Sequence, residues 1–149
     1  MQYRTLGSTN LSVSVLSIGT VELGMEYGLR APDNFEHPDE KESIDLLRSA
    51  ISSGVNLFDT APSYGESEII VGKALGEQGS CYIATKVPGL QSSPSMSDQN
   101  DYDWDITNSI ESSLQNLHRE YLDILQIHNA EVSDFENSKF ISMLQQAKE

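Results

Sequence analysis

Cysteine, basic residues and long apolar runs are all scarce in this chain of 149 residues. The single cysteine, Cys81, excludes a disulfide within the chain and any cysteine-rich zinc site. Only 9 lysines and arginines stand against 23 aspartates and glutamates, and the net charge of −14 argues against nucleic acid or an anionic membrane as partner. No apolar run approaches the roughly 18 residues of a membrane span, and residues 1–7 contain no signal-peptide core. We therefore expect an acidic, cytoplasmic, globular protein.

Apolar segments alternate with turn residues in a regular order along the chain. Residues 3–6 and 11–15 flank the turn-rich sequence Gly-Ser-Thr-Asn and predict a hairpin. Strand-then-helix units follow, with strands expected at 16–20, 55–58, 82–85 and 122–127 and helices at 38–53, 66–75, 107–118 and after a capping box at Ser133–Glu136. The proline- and aspartate-rich stretch from Pro88 to Asp105 predicts a long surface loop.

This alternation predicts an α/β fold with a parallel sheet and helices outside it. Two closures fit the pattern: an open doubly wound sheet, or part of an eight-unit barrel. A complete barrel needs roughly 250 residues, so the chain has room for half of one.

Polar or ionisable residues follow the predicted strands, at the ends where ligands bind in parallel sheets. In chain order these ends carry Gly19-Thr20, Asp59, Lys86 and His128. Tyr64 lies five residues past Asp59, in the loop before the next helix. Each residue alone has a structural interpretation, as a loop cap, a turn aromatic, a snorkelling lysine or a structural histidine. Their coincidence at one edge of the sheet favours a functional site.

These side chains together form a tuned general acid or base. A free tyrosine has a pKa of about 10 and is a poor proton donor at neutral pH, but a nearby ammonium such as Lys86 stabilises the tyrosinate. Asp59 can pair with Lys86, and His128 can hydrogen-bond the phenol or a substrate oxygen. Such an assembly suits protonation of a carbonyl oxygen while a hydride arrives at the carbon.

The motifs around these residues resemble the aldo-keto reductase signatures. The resemblance lies in Leu16–Thr20, Asp59-Thr-Ala-Pro-Ser-Tyr64-Gly with the following Glu-Ser-Glu, Ala84-Thr-Lys86 and Leu122–His128, in the family's order. It implies a TIM-type (β/α)8 barrel whose bottom is closed by the N-terminal hairpin. Residues 1–149 would then be the N-terminal half of one barrel domain, with the hairpin at 2–15 and four strand–helix units at 16–149.

The resemblance also implies NAD(P)H-dependent reduction of an aldehyde or ketone, a small-molecule carbonyl substrate and no metal. By motif match, Tyr64 would be the proton donor, Lys86 and Asp59 its tuning pair, and His128 the group that orients the carbonyl. The positions implied for the cofactor are Gly19, Thr20 and Asp59, near the nicotinamide ribose. Val21 and Asn129 depart from the family, where an aromatic residue is frequent.

The largest departure is that Glu149 ends the fourth unit, whereas the family continues through strands five to eight. Most of the NADP(H) site, including whatever selects NADPH over NADH, would lie in those later units. Three interpretations stay open: part of a longer reductase, which we favour, a half-barrel that associates with another copy, or an inactive truncated half-barrel. A non-catalytic binding or regulatory protein on the same scaffold, as in potassium-channel beta subunits, is the alternative from a different class.

Overall fold

A computed structural model describes residues 1–28, 38–90 and 102–148, with side chains from residue 106 onward in the last range. Its elements in chain order are β1 (Tyr3–Thr5), β2 (Ser12–Ser14), β3 (Ile18–Gly19), α1 (Val21–Gly24), α2 (Glu40–Ser52), β4 (Leu57–Asp59), α3 (Ser67–Leu75), β5 (Tyr82–Pro88), α4 (Tyr102–Leu117), β6 (Ile124–His128), α5 (Val132–Glu136) and α6 (Ser138–Gln146). Within the described ranges, every helix is too short or too polar to span a lipid bilayer.

Strands β3 to β6 form a parallel sheet in the order β3-β4-β5-β6. Each strand therefore pairs with the one before it in the chain, and the strand order never reverses. A doubly wound sheet needs such a reversal, whereas a (β/α)8 barrel adds its strands in sequence. The strand order thus selects the barrel alternative, and the chain forms an open half-barrel.

The N-terminal hairpin is confirmed and lies at the amino ends of the parallel strands. Strands β1 and β2 pair antiparallel, with Tyr3 opposite Ser14. The Tyr3 hydroxyl donates to the Gly54 carbonyl at 2.9 Å, and the Ser14 amide donates to Asn56 Oδ1 at 2.7 Å. Because Gly54 and Asn56 precede β4, the hairpin lies away from the carboxyl ends where the candidate residues are found.

Two buried apolar clusters hold the helices against the sheet. The larger cluster joins Phe58 of β4 and Ile83 of β5 to residues of the covering helices, among them Leu47, Val71, Leu75 and Leu117. The smaller cluster joins Val87 of β5 to Ile106 of α4 and Phe140 of α6. Full burial of one such side chain contributes about 1.5–3 kcal/mol, so strand β5 is anchored along most of its length.

The predicted loop from Pro88 to Asp105 is wrong at both of its ends. Strand β5 extends through Pro88, and helix α4 begins at Tyr102, five residues before its expected start. The aspartates at 103 and 105 lie in the first turn of this helix, where acidic residues are favourable, and not in a loop. Residues 91–101 lie outside the described part of the chain.

The predicted fourth helix is divided in two. Helix α5 ends at Glu136 and α6 begins at Ser138, with Asn137 Oδ1 accepting a hydrogen bond from the Phe140 amide at 3.0 Å. The expected capping box at Ser133–Glu136 is wrong, because α5 begins at Val132 and its capping box joins Glu131 to Asp134, whose carboxylate accepts from the Glu131 amide at 2.7 Å. Asn137 is itself a strong N-cap residue, and its cap starts a second helix where one continuous helix was expected.

Candidate active site

The register of the sheet places the candidate side chains on one face. Asp59 pairs with Ala84, and Pro88 pairs with His128. Because side chains alternate along a strand, Lys86 lies on the same face as Ala84 and Pro88. The predicted strand-end residues Asp59, Lys86 and His128 therefore converge at the carboxyl edge of the sheet, on the face turned away from the helices.

Lys86 and Asp59 form an ion pair at the centre of this edge. Lys86 Nζ lies 2.8 Å from Asp59 Oδ2 and donates a second hydrogen bond, also 2.8 Å long, to the Thr60 carbonyl. The lysine side chain is only 13% exposed, whereas that of Asp59 is 35% exposed. The two acceptors hold the ammonium group in one place, between β4 and β5.

Tyr64 lies directly beside this ammonium group. Lys86 Nζ is 4.8 Å from the centroid of the Tyr64 ring. The Tyr64 ring in turn meets the His128 ring edge-to-face, with the centroids 5.6 Å apart and the planes at 89°. The structure thus brings all four predicted catalytic residues into contact, in the order Asp59, Lys86, Tyr64 and His128.

The surroundings of His128 favour its neutral form. Burial and, after it, the nearby Lys86 ammonium lower the pKa of His128 below its usual 6.5, while Asp59 opposes them. Its Nδ1 lies 3.2 Å from the Ser63 hydroxyl oxygen. Sequence reasoning missed Ser63, although its position directly before Tyr64 placed it in the same loop.

A close contact between two glycines shapes the loop that carries Tyr64. Gly65 has φ +58° and lies against the backbone of Gly24, at the end of α1. A Cβ at either glycine would collide with backbone atoms of the facing segment. The Glu66 amide donates to the Gly24 carbonyl at 3.2 Å. Helix α1, which the sequence did not predict, therefore fixes the position of the Tyr64 loop.

Buried hydroxyl groups fix the base of the same loop. The Thr20 hydroxyl donates to the Asp59 carbonyl at 2.9 Å and lies 2.6 Å from Ser67 Oγ. Thr60 Oγ1 lies 2.9 Å from the same Ser67 oxygen, and all three hydroxyl-bearing side chains are fully buried. The cluster fixes the backbone at Asp59 and Thr60, and so positions the Asp59 carboxylate and the Thr60 carbonyl that accept hydrogen bonds from Lys86.

The expected cofactor positions differ in how open they are. Gly19 pairs with Asp59 and is exposed, and a Cβ there would meet nothing within 4 Å. The partly exposed Asp59 carboxylate beside this open space fits a ribose hydroxyl, which would donate to it. Thr20 lies beneath them with its hydroxyl engaged by Asp59 and Ser67. A direct contact of Thr20 with the ribose stays a prediction.

The chain is similar in sequence to known proteins. The aldo/keto reductase family profile matches residues 15–149. L-galactose dehydrogenase of Arabidopsis thaliana is 33% identical over 157 aligned residues, which cover 100% of this chain and 45% of that protein. Aldo-keto reductase YhdN of Bacillus subtilis is 33% identical over 133 residues, which cover 86% of this chain and 38% of that protein.

A solved structure extends the likeness to three dimensions. The crystal structure of PA4992 from Pseudomonas aeruginosa superposes with a TM-score of 0.79 at 33% identity, covering 98% of this chain and 55% of that one. The chain thus spans about half of this structure and less than half of the two relatives. Since the family match runs from before β3 through β6 and includes every strand end in the ion-paired cluster, the chain belongs to the aldo/keto reductase family.

Proposed function

We propose that the chain supplies the proton-transfer machinery of an NAD(P)H-dependent reductase that converts an aldehyde or ketone into an alcohol. The observation that carries the proposal is the placement of the Lys86 ammonium, 2.8 Å from Asp59 Oδ2 and 4.8 Å from the Tyr64 ring centroid. A lysine held this way acts on the phenol, because the Asp59 carboxylate and the Thr60 carbonyl hold its ammonium group beside the Tyr64 ring. When bound, the nicotinamide supplies the hydride.

The roles of the chain's own residues follow from this geometry. Tyr64 gives its hydroxyl proton to the carbonyl oxygen, and the neighbouring ammonium of Lys86 stabilises the phenolate that remains. Neutral His128, beside the Tyr64 ring, hydrogen-bonds the same carbonyl oxygen and orients it. Asp59 and the open edge at Gly19 receive the ribose of the cofactor, with Thr20 supporting Asp59 from below.

The proposed activity is that of a completed barrel. Strand β6 lies at the edge of the described sheet, and a closed barrel would pair it with a further strand. We propose that further strands, from a longer chain or a second copy, supply the rest of the cofactor site.

The test is a cofactor titration followed by a turnover assay. The protein is titrated with NADPH and with NADH, and reduction of para-nitrobenzaldehyde is followed by loss of the reduced-nicotinamide absorbance. Saturable binding with turnover supports the proposal. Saturable binding without turnover of a panel of aldehydes and ketones contradicts it and favours the regulatory alternative.

A further inference from the structure

The contact between Ser63 and His128 joins two parts of the site that are distant in the sequence. Ser63 lies in the loop between β4 and α3, and His128 ends β6, yet Ser63 Oγ is 3.2 Å from His128 Nδ1. The imidazole also packs edge-to-face with the Tyr64 ring. These two contacts restrict rotation of the imidazole. Nδ1 therefore faces Ser63, and Nε2 is left for another partner.

The groups around His128 favour a neutral imidazole, whose single proton can lie on Nδ1 or on Nε2. Among the described residues, the titratable groups that face it are Lys86 from β5, Asp59 from β4 and Tyr64 from the β4–α3 loop. Burial and the Lys86 ammonium outweigh Asp59 and lower the pKa of His128. A neutral imidazole has one nitrogen that carries the proton and donates, and one that accepts. The hydrogen bond made by one nitrogen determines which of the two carries the proton.

We propose that Ser63 is a positioning residue that donates its hydroxyl hydrogen to Nδ1 of His128 and so keeps the imidazole proton on Nε2. This inference rests on the proposed function, because the Nε2–H group then donates to the carbonyl oxygen of the substrate. The opposite arrangement, with Nδ1–H donating to Ser63, would leave Nε2 as an acceptor. A bare Nε2 cannot donate to a carbonyl oxygen, so the orientation of this hydrogen bond determines whether His128 can orient a carbonyl substrate.

The tautomer is measured directly by long-range ¹H–¹⁵N NMR correlation spectra of the imidazole groups, without substrate or cofactor. The sequence contains three histidines, and the signals of His128 are those that disappear in His128→Gln. Above neutral pH we expect His128 to carry its proton on Nε2. In Ser63→Ala the ratio of the Nε2–H to the Nδ1–H form should fall by about three- to tenfold, the effect of losing one net hydrogen bond.

Two companion variants separate this effect from general damage to the site. Ser63→Thr keeps the hydroxyl and should restore the wild-type tautomer ratio. Ser52→Ala removes an exposed hydroxyl at the end of α2, whose bond is to the Arg48 carbonyl, and should leave the His128 spectrum unchanged.

The pKa of His128 should rise in Ser63→Ala, because the lost donor had stabilised the neutral ring. A wild-type proton on Nδ1, or an unchanged ratio and pKa in Ser63→Ala, would overturn the inference.

An activity measurement keeps this inference distinct from the proposed function. In a form that reduces para-nitrobenzaldehyde, Ser63→Ala should lower kcat/KM while the Kd for NADPH stays the same. The expected NMR result, together with saturable NADPH binding but no turnover, would contradict the proposed reductase activity and leave the assignment of Ser63 intact. Turnover combined with the wrong tautomer would sink the assignment of Ser63 alone.

Discussion

Thr85 donates a hydrogen bond of 2.6 Å to Glu68, and both side chains are buried. The other Glu68 oxygen accepts from Asn116 at 3.3 Å. Thr85 directly precedes Lys86 on β5, and Glu68 lies in the first turn of α3, four residues after Tyr64. The bond therefore connects the strand that carries the lysine to the helix that follows the tyrosine loop, and it helps to set the distance between Lys86 and Tyr64.

Loss of this bond should destabilise the fold. Thr85→Val keeps the shape of the side chain but leaves a buried oxygen of Glu68 without its donor, so we expect a loss of about 1–3 kcal/mol in the free energy of unfolding. Urea unfolding followed by circular dichroism measures it. Thr5→Val, on the exposed strand β1, is the matched control and should change stability by less than about 0.5 kcal/mol. A Thr85→Val variant as stable as this control would show that the bond contributes nothing.

Removal of the ammonium group should abolish most of the proposed proton transfer. Lys86→Met fills a similar volume without a charge, and we expect kcat to fall by about 10²- to 10⁴-fold, the usual size of a general-acid contribution. Lys86→Arg should not rescue the activity, because the planar guanidinium cannot occupy the position of a compact ammonium between Asp59 and Thr60. Steady-state carbonyl reduction measures both. Near-wild-type turnover in Lys86→Met would contradict the role of the lysine.

Acidification should weaken the fold through His128. Its pKa is lowered in the folded protein by burial and by Lys86, whereas the unfolded chain restores the usual value. Between the lowered pKa of the folded state and the usual pKa of the unfolded state, the unfolded chain binds more protons at His128. The contribution of His128 to stability is therefore complete above about pH 6.5 and is lost as the pH falls towards the pKa of the folded state. Thermal unfolding between about pH 8 and pH 5 should show a larger loss for the wild type than for His128→Gln. An equal loss of thermal stability in the two proteins would argue against a lowered pKa of His128 in the folded state.

Cys81 should react slowly with thiol reagents in the folded protein. It is 2% exposed, and its burial raises the pKa of the thiol despite the opposing charge of Arg119, whose guanidinium lies 3.3 Å from the sulfur. Since the thiolate is the reactive form, we expect Ellman's reagent to label the native chain far more slowly than the urea-unfolded chain. Equal rates in the two states would show that Cys81 is open to solvent.

The sequence predicted those parts of the site that depend on strand position. Asp59 and His128 end apolar strands and Lys86 lies two residues before the end of β5, and parallel strands bring their carboxyl ends to one edge. The hairpin and the sheet were predicted for the same kind of reason, because apolar periodicity and turn residues are local signals. The choice between barrel and doubly wound sheet needed the strand order, which local patterns do not contain.

The sequence did not predict contacts that depend on a single hydroxyl group. Ser63, Ser67 and Thr20 are small polar residues in turn-rich segments, where most such residues face solvent and leave no periodic signal. Ser67 is buried only because β3, β4 and α3 meet around it. The capping box expected at Ser133–Glu136 is wrong for a related reason. Several residues in that stretch can cap a helix: Glu131 and Asp134 form the capping box of α5, and Asn137 caps α6.

The most direct test of the proposed function compares Tyr64→Phe with the wild type in a form that reduces carbonyls. The substitution removes only the hydroxyl oxygen and leaves the ring that packs on His128 and Lys86. We expect reduction of para-nitrobenzaldehyde to fall by at least about 10²-fold, while a fluorescence titration gives the same Kd for NADPH. Turnover near the wild-type rate in Tyr64→Phe would contradict the account, because the proton would then come from another group.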